Sequence, residues 1–133
     1  MRDLDSYDYA IIRVVPRVER EEFVNVGVIV SCPSRNFLEA RIALDENRLR
    51  MLDPTLDMEA IRAHTDSIRA ICAGGEPAGP LARLSQRERF HWLVAPRSTI
   101  IQTSAVHTGK CDDPAKLIEH LLQKMVLPPQ SKS

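Results

Sequence analysis

The chain has 133 residues, 44% of them hydrophobic and 27% charged, and its eighteen basic side chains are balanced by eighteen acidic ones. Such a length suits one domain with a core of its own, since the area scalings leave roughly 7,000 Å² exposed out of roughly 22,000 Å² in the unfolded chain. No apolar run approaches the ~20 residues of a membrane span, and a net charge of zero supplies no field to hold nucleic acid or an anionic membrane.

Residues 7–15 are β-branched and aromatic up to Pro16, which predicts a first strand from Tyr7 to Val15. From Glu22 to Val30 the alternation is cleaner: Val24, Val26, Val28 and Val30 fall on one face, and Phe23, Asn25, Gly27 and Ile29 on the other. The short polar link between the two segments makes them antiparallel neighbours. A turn over 31–36 leads to a third strand, Phe37 to Ala43, with Leu38, Ala40 and Ile42 pointing one way.

The period then becomes helical. Asp45 caps a short helix that Pro54 ends, and Asp57 caps a longer one with Ile61, His64, Ile68, Ile71 and Cys72 as its buried stripe and Gly74-Gly75 as its stop. Gly74 to Pro80, with three of the five glycines, is the most loop-like segment, and Leu81 to Leu84 forms a helical turn. Ser85 and Glu88 have the spacing of a capping box, so a third helix starts near Gln86, buries Phe90, Leu93 and Val94, and closes before Pro96. Thr99 to Val106 reads as a fourth strand. Asp113-Pro114 opens the last helix, whose apolar face is Leu117, Ile118, Leu121, Leu122 and Met125.

The expected fold is therefore α+β: one domain over residues 1–127, an antiparallel sheet of about four strands with helices packed mainly on one face, and a disordered tail at 128–133. The valine face of the second strand should meet the last helix. Cys32, Cys72 and Cys111 are odd in number and contain no C-x-x-C, and no basic stretch leads into an apolar leader, which suggests reduced thiols and a cytoplasmic setting. Cys111 with His107 would leave a metal two ligands short, so neither a metal nor a cofactor is expected.

Charge is uneven along the chain. Residues 84–110 carry Arg87, Arg89, Arg97 and Lys110 against Glu88 alone, which directs the search for an anion site there. Arg97-Ser98-Thr99, between a helix and a strand, combines a guanidinium, hydroxyls and backbone amides; the same residues could equally pair with Glu88 and finish a turn. His107-Thr108-Gly109 offers an imidazole, a hydroxyl and a glycine suited to positive φ or close approach, or simply a turn with a surface histidine. Arg89 and Trp92, three apart on one helix face, could stack as a recognition pair or as a half-buried anchor. Asn25 either reaches a pocket between sheet and helix or fastens a loop. Arg13 is the only charge on its strand face, and if covered it needs a carboxylate or an anionic ligand.

The stretches 7–16, 20–30, 89–102 and 106–109, above all the run Glu22-Phe-Val-Asn-Val-Gly27 and the block Pro96-Arg-Ser-Thr99, resemble the bacterial domain-of-unknown-function family numbered 3037. The resemblance covers about residues 6–126. It implies a small stand-alone protein encoded beside a kinase-like protein similar to the HipA toxins, and it implies no enzymatic activity. The sequence lacks a Walker loop, G-x-S-x-G, H-E-x-x-H and G-x-G-x-x-G. The leading expectation is thus a non-catalytic accessory module that binds a protein, with a HipA-like kinase as the partner the family suggests and a small-anion site near Arg97. A homodimer stays open. The alternative is a small phosphate-handling enzyme built from Arg89, Arg97, Ser98 and His107.

Overall fold

The computed structural model describes residues 3–97 and 99–129. Among these the chain forms a five-stranded antiparallel sheet with helices on both faces, an α+β fold. The strands β1 (Asp5–Val14), β2 (Val24–Cys32) and β3 (Phe37–Ile42) form the expected meander, and β1 is the hub. Its second edge pairs with β4 (Ile101–Thr103) near Val14 and with β5 (His107–Cys111) near Asp5.

The expected single strand over 99–106 is corrected here. Ile12 faces Thr103 and Tyr9 faces His107, so two residues of β1 are matched by three of the returning chain. The surplus bulges out at residues 104–106, and Ser104 bridges the gap: its amide donates to the Ile11 carbonyl at 2.8 Å and its hydroxyl accepts from the Ile11 amide at 2.9 Å. Thr99 and Ile100 precede the strand, and His107 to Gly109, expected as a turn, are strand residues.

A second bulge corrects the valine face. Ile12 pairs with Gly27 but Arg13 pairs with Asn25, which leaves Val26 as the extra residue. Side-chain direction inverts there, so Val24 and Val26 join Ile12, Val14 and Ile29 on one face while Val28 and Val30 remain with Ile11 on the other. Only the latter pair meets the last helix. Gly27 is required where β3 comes closest, because a Cβ there would lie 2.7 Å from the Arg41 carbonyl oxygen.

The first face is covered by α1 (Glu46–Leu52), α2 (Met58–Ala73) and α3 (Gln86–Leu93), which contribute Leu49, Ile61, Ile68, Ile71, Phe90 and Leu93 to the larger core. Full burial of each such side chain is worth about 1.5–3 kcal/mol. Asp45 and Asp57 accept from the Arg48 and Ala60 amides as N-caps, and Ser85 with Glu88 completes the capping box. In α2 Thr65 takes the buried position between Ile61 and Ile68, and His64, expected in the stripe, is exposed. Gly74 and Gly75, at φ 76° and 78°, end α2, and the loop-like segment beyond them winds into 3₁₀ turns over Glu76–Arg83 with a break at Gly79. On the opposite face α4 (Pro114–Leu121) and a π-helical turn (Leu122–Val126) lay Ile118 and Leu121 over Ile11, Val28 and Val30. The helices therefore lie mainly, though not solely, on one face.

Candidate functional site

Arg97 lies beyond the end of α3 and Thr99 to Thr103 lead into the sheet beside α2, and between them and the two helices is a cleft of about 240 Å³. Ile68 and Ile71 of α2, Leu93 of α3 and Ile101 of β4 form its apolar interior, while His64, Trp92, Arg97 and Gln102 bring polar groups to it. Trp92, the only tryptophan of the chain, is 44% exposed.

Arg97 follows the end of α3 and folds back over it. Its guanidinium lies 4.4 Å from the Trp92 ring centroid and donates to the carbonyls of Trp92, Leu93 and Ala95 at 2.6, 3.1 and 3.3 Å. It thereby satisfies the carbonyls that a helix end leaves open, at the pole where a cation is favoured. These bonds use Nη1 and Nη2 and leave Nε out. Although one side of His64 faces solvent, partial desolvation in the cleft mouth, reinforced by the Arg97 charge, holds it below the usual imidazole range, so the mouth carries one fixed cation beside one neutral ring at neutral pH. An apolar slot with a guanidinium at its lip fits an apolar group that carries a carboxylate nearby.

The other sequence-derived candidates are dispersed. Arg89 stacks on no ring of Trp92; its Nε and Nη1 donate to the Ile71 and Leu84 carbonyls at 2.9 Å each, stapling α2 to the following turns and to α3. Thr99 is exposed, and its hydroxyl donates to the Ile101 carbonyl at 2.7 Å. Ser98 lies outside the described residues. His107 stacks on Tyr9 with ring centroids 5.2 Å apart, on the face that α4 covers, whereas Arg97 and Arg89 sit on the face of α2 and α3. The sheet separates them, so imidazole and guanidinium groups share no pocket. Thr108 is an exposed residue of β5, opposite Asp8. Gly109 is needed for close approach rather than for positive φ, since the Tyr7 ring lies across it.

Asn25 fastens the C-terminal turn, with Nδ2 donating to the Met125 carbonyl at 3.0 Å. Its register partner Arg13 meets no carboxylate among the described residues; its guanidinium lies 4.2 Å from the Phe23 ring centroid. Arg13 Nε and Asn25 Oδ1 are both buried without a hydrogen-bond partner among the described residues. Sequence reasoning missed Arg87, which spans the paired strands by bonding Asp8 of β1 and Ser31 of β2. It also missed that Arg97, five residues on, is the partner of Trp92, because that contact depends on where the chain turns after α3. Among the described residues no cluster of His, Cys, Asp and Glu is arranged to hold a metal.

No curated protein and no solved structure matches the chain. Residues 9–126 do match the family described as protein of unknown function (DUF3037), which covers both faces of the sheet and the whole cleft, and the chain belongs to that family.

Proposed function

We propose that the protein is a non-catalytic accessory module that docks a protein partner in the cleft between α2, α3 and β4, by way of an apolar side chain flanked by an acidic group. The observation that carries this reading is the solvent-facing Trp92 with Arg97 stacked on it at the lip of an apolar slot. Tryptophan and arginine are the residue types that dominate binding energy when a partner covers them. The partner class follows the family resemblance: a kinase-like protein similar to the HipA toxins. The phosphate-handling alternative draws less support, since His107 stacks on Tyr9 across the sheet from Arg89 and Arg97.

Because Trp92 is the only tryptophan, its emission reports the cleft directly. Titration with 3-phenylpropionate, an apolar carboxylate, is expected to shift that emission, with Arg97→Lys weakening the effect. Pulldown from host cells is expected to recover a kinase-like protein with the wild-type chain and to lose it with Trp92→Ala, a change of about tenfold or more in affinity. Recovery of the same partner by both chains sinks the assignment.

A further inference from the structure

We infer that the outer edge of β3 is a second docking site, which accepts an extended peptide segment of a partner as an added antiparallel strand with a basic residue opposite Glu39. The inference is independent of the Trp92 cleft and rests on hydrogen-bond direction. The Ala43 amide donates to the Val26 carbonyl, so odd-numbered residues of β3 turn their backbone groups towards β2. The other side of the sheet gives the same parity. Ile11 exchanges its bonds with Ser104, so even-numbered residues of β1 face β2, and the even-numbered residues of β2 face β3. Asn36, Leu38, Ala40 and Ile42 must then aim their backbone outward.

Side chains occupy the two ends of that row. Gln86 Nε2 donates to the Asn36 carbonyl at 3.1 Å and Arg69 Nη2 to the Ile42 carbonyl at 3.4 Å, each standing where the donor of a neighbouring strand would stand. Leu38 and Ala40 lie between them. Their amides and carbonyls open into a groove of about 450 Å³ whose other wall is α2, at Arg69, Cys72 and Ala73. A helix running beside an exposed strand edge is the geometry in which peptides add as strands.

Register fixes the chemistry of the guest. Peptide residues opposite Leu38 and Ala40 exchange backbone bonds with them and turn their side chains to the face of Cys72 and Ala73, which suits β-branched apolar types. The residue between them lies opposite Glu39, whose side chain is 47% exposed. Near Glu39 stand Arg41, at 3.5 Å, and Glu119, which Arg41 also bonds. Two carboxylates against one guanidinium favour a lysine or arginine there. A second copy of the chain fits less well, because two-fold pairing about this point sets two Glu39 carboxylates opposite each other. The β5 edge bears Lys110 and the neighbouring bulge, features that blunt an edge.

The test is amide-resolved NMR of the whole protein titrated with acetyl-Thr-Val-Lys-Val-Thr-amide to millimolar concentration. Shifts and slowed hydrogen exchange at the Leu38 and Ala40 amides are expected. N-methylation of both valine amides should weaken binding about tenfold or more, whereas N-methylation of the lysine amide, which points away, should leave it unchanged. Replacing the peptide lysine by glutamate should weaken binding severalfold. Silence at both amides overturns the inference, as does binding insensitive to valine N-methylation. Concentration-dependent shifts at Leu38 and Ala40 without peptide would assign the edge to a second copy instead and equally overturn it. Ala40→Pro removes the outward amide at a position where an edge strand tolerates proline, and it should abolish the response.

Discussion

His64 shows how far one position can depart from its apparent pattern. In sequence it continues an apolar stripe, yet the helix places Thr65 on the buried line and leaves His64 at the cleft mouth beside Arg97. Partial desolvation and the neighbouring guanidinium lower its pKa, so the unfolded chain binds this proton first as pH falls. Stability contributed by the neutral ring is complete above the unfolded value near 6.5 and declines as pH drops from there through the lower folded value. His64→Gln is expected to flatten that part of a thermal-unfolding profile taken between pH 5 and 7.5 relative to wild type, while a profile unchanged by the substitution contradicts the assignment. An anion bound at Arg97 should raise the His64 pKa and reverse part of this slope. Cys72 of α2 is a buried thiol. Burial pushes the Cys72 thiol up to about 12 in spite of Arg89, so alkylation by iodoacetamide at neutral pH should be far slower in the folded protein than in urea. Arg97 was legible as the residue of interest in its loop, but its partners were not, because helix-end carbonyls attract a guanidinium only once the chain has turned back over them.

At the level of elements, local chemistry and the meander were readable, and the pairing of the returning chain with β1 was not. The caps at Asp45, Asp57, Ser85 and Asp113 all appear where their spacing placed them, since each bond closes within a few residues. The bulge at 104–106 escaped notice because it is a relation between strands remote in sequence, whereas Gly27 inside β2 signalled a bulge or a close approach without fixing which residue would be the extra one. The Ser104 bulge has a measurable consequence. Its hydroxyl accepts the buried Ile11 amide across 93 residues, and Ser104→Ala strands that donor. A loss of about 1–3 kcal/mol in chemical denaturation is expected, with accelerated hydrogen exchange at Ile11. A loss below a few tenths would show that the amide finds another acceptor. Asn25 illustrates the same limit. Its position on β2 and a loop-fastening role were legible, whereas its partner, the Met125 carbonyl a hundred residues on, was not.

The whole molecule has two unequal cores separated by one sheet. Ile12 belongs to the larger, under α2 and α3, and Ile118 to the smaller, under α4, and both are fully buried. Ile12→Ala and Ile118→Ala should each cost about 2–5 kcal/mol, and because both cores share β1 and β2, unfolding should remain a single transition by circular dichroism and tryptophan fluorescence alike. Separate transitions would mean that α4 detaches on its own. The α+β class and the meander followed from the change of hydrophobic period along the chain, which depends on no distant contact. The coverage of both faces needed the bulge at Val26, which divides one valine row between two cores.

The place of β1 in the sheet also sets a timetable. It is made well before residues 101–111, which close one flank of it. A ribosome that has extruded β2 and β3 therefore presents a meander with a bare hydrogen-bonding margin on its longest strand, waiting for the remainder of the polypeptide. Closure across such sequence distances is slow, and an unfilled margin invites strands of other nascent molecules. Yield during rapid expression should thus depend on temperature and on chaperone supply more than the stability of the finished protein would suggest.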